Sequence, residues 1–170
     1  MENKKETKTP DITMLSNELT YRRYMMDKGK IRDFFKEMSI PEYIALHNIA
    51  IENEMSSIYE GKTYLKELSE KMDLTMRQTS DMIGKLRDRG LVVWAHDGNG
   101  SDGTYVVITE SGRKMLEEQE AVLKQYYGKV IDKFGKEKLI ELLQLMKELE
   151  TIMSSEIEEM EVEKHGELNG

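Results

Sequence analysis

Apolar residues recur at steps of three and four from Asp11 to Met38: Ile12, Leu15, Leu19, Met25/Met26, Ile31, Phe34/Phe35 and Met38. That is the period of one helical face, and it predicts a helix over 11–38 with Gly29 weakening its middle. Ser39-Ile-Pro-Glu42 reads as a new helix start, with Ser39 as cap, proline in the first turn and Glu42 closing a capping box. Tyr43, Leu46, Ile49 and Ala50 give that helix its apolar stripe. Residues 54–62 are a connector. Thr63 is placed to cap a short helix with Leu65, Leu68 and Met72 inside, and Asp73 and Thr75 lie at the break before the next. That next helix runs to about Arg89 with Met82, Ile83 and Leu86 inward, and Gly90 is placed to end it in the left-handed conformation.

The pattern then changes period. LVVWAHD is β-branched and aromatic, GNGSDG is a turn cluster and TYVVIT is a second strand-like run, which together predict a hairpin with a long tip. Ser111-Gly112 opens another helix, whose apolar 3-4 alternation is missing only Gln119. Gly135 interrupts, and a last helix follows from Leu139 to Ile157. The predicted order is four helices, a hairpin and two helices. A small central domain cannot easily bury long amphipathic helices at both ends, so a second copy is expected to cover them; the alternative is a compact monomeric bundle.

Composition narrows the class. The chain has 170 residues, 38% hydrophobic and 34% charged, with no cysteine, which excludes disulfides, thiolate zinc sites and thiol redox switches. No apolar run approaches the roughly 20 residues of a membrane span, and the first residues hold no signal-like apolar region, so a cytoplasmic protein without membrane contact is expected. The net charge of −8 is unevenly spread. Residues 62–90 carry 7 Lys/Arg against 5 Asp/Glu, whereas residues 110–170 carry 9 against 15. The one basic segment is therefore the segment that periodicity assigns to the paired short helices. A short helix, a turn, a second helix and a hairpin make the order of a winged helix-turn-helix, whose second helix fits the major groove.

These residues resemble a known family. LKELSEKMDLTMRQTSDMIGKLRDRGLV, followed by a hairpin ending VVITESGRKML, is similar to the MarR family of bacterial transcriptional regulators. The family frame is met by Glu67, Leu68, Leu74, Thr75, Ile83, Leu86, Gly90, Leu91, Val92, Ile108, Thr109 and Gly112. The likeness in sequence covers about 63–115 and in helix order about 11–160. It implies a mainly α fold with a small β-hairpin wing, a winged helix-turn-helix flanked by long N- and C-terminal dimerisation helices. The expected organisation is a flexible arm over 1–10, a helical dimerisation region over 11–38 and 111–160, a DNA-binding domain over 39–110 and a frayed tail over 161–170. The resemblance further implies a homodimeric repressor reading a pseudo-palindromic operator in double-stranded DNA, relieved by a small aromatic or amphipathic effector. The rival is a dimeric winged-helix protein that works through a protein partner or small ligand with little or no DNA affinity.

Candidate DNA-binding residues follow from position and type. Arg77 and Gln78 lie in the first turns of the reading helix, where arginine pairs with guanine and glutamine with adenine. Thr75 is a cap or phosphate donor, and Ser80 and Asp81 share the helix. Asp81 stands where many family members have a basic or neutral residue. Lys85, Arg87 and Arg89 suit phosphates or acidic neighbours, and Lys62 and Lys66 suit the DNA backbone. Family wings commonly carry an arginine for the minor groove; residues 91–109 contain no Lys or Arg, which leaves Asn99 at the tip, flanked by Asp97 and Asp102. His47, Met25 and Met26 are candidates for an effector pocket. Asp97, Asn99 and Ser101 alternate like calcium ligands, but Asp102 replaces the loop glycine and Ile108 the closing glutamate, so turn chemistry accounts for them. Neither a metal, a cofactor nor a catalytic constellation is expected.

Overall fold

The computed structural model describes residues 11–55, 61–98 and 100–167. Helix α1 spans Ile12–Asp27, and a 3-10 turn follows at Lys30–Phe34. Then come α2 (Ile40–Met55), β1 (Thr63–Tyr64), α3 (Leu65–Lys71), α4 (Met76–Asp88), β2 (Val92–His96), a 3-10 turn at Gly100–Gly103, β3 (Thr104–Ile108), α5 (Glu110–Phe134) and α6 (Lys136–Glu167). The expected fold class is what the chain adopts: mainly helical, with a small antiparallel wing. Among the described residues no helix is long and apolar enough to cross a membrane.

The chain divides into two compact units between Gln119 and Glu120. In the first, α2, α3, α4 and the sheet close on one core. Leu46, Ile49, Leu68, Ile83, Leu86, Val92 and Val106 are among its fully buried side chains, joined by Leu116 from the start of α5. Each such side chain contributes about 1.5–3 kcal/mol by leaving water. The helix starts are fixed by the caps the sequence announces. Ser39 N–H donates to Glu42 Oε2 at 2.7 Å and Glu42 N–H to Ser39 Oγ at 3.3 Å, and Asp11 accepts from Met14 N–H at 2.9 Å. Gly90, at φ 73°, ends α4, with its N–H bonded to Arg87 O and that of Leu91 bonded to Leu86 O.

Three expected element boundaries differ in the structure. The helix foreseen over 11–38 stops at Asp27, because the chain tightens into a 3-10 turn after Gly29. Gln119, the gap in the α5 stripe, is buried and donates from Nε2 to Phe34 O at 3.0 Å, so a polar bond takes the place of an apolar contact and ties α5 to that turn. α1 buries no residue. Thr63 does not cap α3. It pairs with Val106 in β1, so the sheet has three strands in the order β1-β3-β2, and the cap position falls to Tyr64, whose side chain makes no capping bond. The last helix, expected to end near Ile157, continues through Glu167. The arm at 1–10 and Asn99 lie outside the described residues.

The second unit holds the rest of α5 and all of α6, separated at Gly135 with φ 101°. Large apolar side chains stand in the open along both helices, among them Tyr127, Phe134, Leu143, Leu145, Ile152 and Ile157.

Candidate nucleic-acid interface

The two short helices are joined by a turn whose geometry the sequence dictates. Leu74 N–H reaches back to Ser69 O at 2.9 Å, and Asp73 between them takes φ 51°, a left-handed conformation that aspartate tolerates better than most residues. Thr75 then caps α4. Its hydroxyl accepts from Gln78 N–H at 3.2 Å, while Gln78 Oε1 accepts from Thr75 N–H at 2.9 Å. Both residues expected to meet DNA therefore first build the start of the helix that would present the others. Thr79, Met82, Ile83 and Leu86 face the core. The opposite side carries Arg77, Asp81, Lys85 and Asp88, all exposed, with Ser80 half-buried at its edge.

Charge is arranged along α4 in favour of an anion. No acid stands in its first turn, and Lys85 and Arg87 stand in the last. The amide-rich N-terminus therefore keeps its partial positive charge. Arg77 and Lys85 lie four residues either side of Asp81, yet neither pairs with it, and among the described residues neither has another partner.

The other basic side chains of the segment are engaged within the protein. Arg87 donates from Nε and Nη2 to Asp88 Oδ1 at 3.0 and 2.8 Å and lies 4.9 Å over the Trp94 ring of β2. Lys66 of α3 meets Asp102 of the wing at 3.4 Å, Lys71 meets Glu52 at 3.5 Å, and Lys62 lies 4.5 Å over the Tyr105 ring. Arg89 points away from the outward face: it bonds Glu37 O and Met115 Sδ and lies 4.0 Å from Glu42. The wing, without a cation of its own, thus takes its positive neighbours from the residue before β1, from α3 and from α4.

The wing is closed at its tip by local bonds. Asp97 N–H donates to Gly103 O at 3.0 Å. His96 Nδ1 accepts from Gly98 N–H at 2.9 Å, which leaves the proton on Nε2, bonded to Gly100 O at 2.5 Å. Tyr64 OH donates to Asp97 Oδ2 at 2.8 Å, and that bond to a carboxylate raises the phenol above its usual 10.0.

The structure therefore gathers Thr75, Arg77, Gln78, Ser80, Asp81 and Lys85 on one helix and turns Lys66 and Arg87 toward the wing. His47 is half-buried on α2, its ring stacked on Tyr43 at 6.0 Å, while Met25 and Met26 are exposed on α1. Two residues escaped the sequence reading. Trp94 positions Arg87 and had no signal beyond its place in a strand. Met76, the first residue of α4, is an exposed apolar side chain beside Arg77, and its break from the inward stripe was the available clue.

Solved structures of the same shape are transcriptional regulators. BldR from Sulfolobus solfataricus superposes with a TM-score of 0.62 at 19% identity, over 81% of this chain and 97% of that one. The MarR family regulator NMB1585 from Neisseria meningitidis gives 0.63 at 18%, over 89% and 99%. NadR, solved in complex with 4-hydroxyphenylacetate, gives 0.60 at 17%, over 82% and 96%. No family model matches the sequence, and no curated protein does. At these identities the likeness establishes the fold: this chain has the winged-helix architecture of the MarR regulators.

Proposed function

We propose that this protein is a homodimeric, sequence-specific DNA-binding regulator, a repressor, whose α4 helices enter successive major grooves of a pseudo-palindromic operator. The observation that carries this reading is the outward face of α4. It presents unpaired Arg77 and Lys85 behind an acid-free first turn, on the second helix of a helix-turn-helix. Arg77 has the reach and donors for guanine, Gln78 has an amide for adenine, and Thr75, Ser80 and Lys85 are placed for phosphates. Self-association is supported by the apolar side chains open to water along α5 and α6 and by an α1 that buries nothing, more apolar surface than a soluble monomer ordinarily exposes. A small aromatic effector, of the class of the 4-hydroxyphenylacetate bound in the NadR structure, would act by preferring a spacing of the two reading helices that no longer matches the operator. His47, Met25 and Met26 are the proposed pocket residues.

Selection of bound duplexes from a random DNA pool tests the reading. A recovered inverted repeat with half-site centres about one helical turn apart is the expected result; no enrichment would reject it. A second reading, a winged-helix dimer that acts through a protein partner, is favoured by one observation: Lys66, Lys71, Arg87 and Arg89 are all ion-paired inside the chain. Salt separates the two, since phosphate contacts make affinity fall steeply with ionic strength.

A further inference from the structure

Helix α4 contains one glycine, Gly84, in the middle of the helix and on its outward face. Arg77, Asp81 and Asp88 stand one or two turns away on the same side. Glycine is among the least favourable residues for a helix interior, because it has the most backbone freedom to lose. Nothing among the described residues calls for it. Its φ is not positive, so no turn requires it. A Cβ built there meets no atom within 4 Å, so no close packing requires it either. The other local signals of α4 agree with the helix: a capping box at Thr75, basic residues in the last turn and a left-handed Gly90 after its end. Among the described glycines inside helices, Gly112 is hemmed in by backbone, whereas Gly128 of α5 is open like Gly84.

We infer that Gly84 is the point of closest approach between the double helix and the protein: the missing side chain lets an edge of the major groove pack against the backbone of α4. The inference rests on the DNA-binding reading and deepens it. Arg77 and Lys85 supply reach and charge around Gly84, and Gly84 sets how deep the helix sits.

The test compares Gly84→Ala and Gly84→Gln with the parent protein for thermal midpoint and for affinity toward the duplex recovered from the random pool. Both replacements favour the helix, so both midpoints should rise. Affinity should fall on the order of tenfold for alanine, the effect of one methyl forced into a packed contact, and further for glutamine. Unchanged affinity for both variants overturns the inference and leaves the DNA-binding reading standing. A lowered midpoint for Gly84→Ala also overturns it, because the fold itself would then need the glycine. A pool that yields no duplex overturns the DNA-binding reading and this inference with it.

Discussion

Gly112 presents the opposite case, and Gly112→Ala is expected to be severely destabilising. The residue is buried in the first turn of α5, where the chain leaves β3. A Cβ at this position would lie 2.1 Å from Leu91 O, 2.8 Å from Ile108 Cγ1 and 3.1 Å from Leu91 C. Leu91 O cannot retreat freely, because it accepts from Thr109 N–H at 3.0 Å. The Thr109 hydroxyl is fixed as well, accepting from Gly112 N–H at 3.0 Å and donating to Gly90 O at 2.7 Å. To restore a normal separation the start of α5 must move by about 1 Å. Overpacking of this kind costs about 1–3 kcal/mol, and loosening the seam hydrogen bonds adds about 1 kcal/mol. The expected loss is thus about 3 kcal/mol. With a urea dependence of about 2 kcal/mol per molar, the unfolding midpoint should fall by about 1.5 M. Trp94, the one tryptophan of the chain, lies in β2 of the same unit and reports the transition by fluorescence. A midpoint equal to that of the parent would refute the steric reasoning. Because Gly84→Ala should move the midpoint the other way, the pair separates steric conflict from any general effect of exchanging glycine for alanine.

Arg77→Ala should weaken binding to the selected duplex by about 1–3 kcal/mol, read by titration, and relax the preference at a single guanine per half-site; a uniform loss across all sequences would instead make Arg77 a phosphate contact. Thr63 Oγ1 is buried without a hydrogen-bond partner among the described residues, so Thr63→Val, which keeps the β-branch and removes the hydroxyl, should raise stability by about 1 kcal/mol in chemical denaturation; a loss would show that the hydroxyl has a partner in solution. Tyr64 is held above its usual 10.0 by its bond to Asp97, so the bond favours the folded state fully below the ordinary value and is lost as pH rises through the raised one. Absorbance titration should show Asp97→Asn lowering the Tyr64 transition, and no shift would dissolve the link.

Much of this fold is local information, and that part was legible. The Ser39 and Thr75 caps, the Gly90 stop and the change of period at Leu91 each depend on residues within a few positions of one another. What escaped depends on distant partners. β1 is two residues long and exists only because Val106 and Tyr105 lie across from Thr63 and Tyr64. Gln119 looked like an error in an apolar stripe until Phe34 O, far earlier in the chain, supplied its acceptor. Site residues divide the same way. The face of α4 follows from helical spacing, which brings Arg77, Asp81 and Lys85 onto one side of the helix. The engagement of Arg87 with Trp94, of Lys66 with Asp102 and of Arg89 with Glu37 is tertiary, and composition records only that seven cations are present between 62 and 90.

Those internal engagements bear on how such a regulator would search a chromosome. Random DNA is held almost entirely through phosphates, and here the wing offers none of its own cations while its neighbours spend theirs on Asp102, Trp94 and Tyr105. For the DNA-binding regulator proposed above, non-specific affinity would therefore rest mainly on Lys85 and the start of α4, with little help from the wing. A cell could keep such a switch responsive with a small number of molecules.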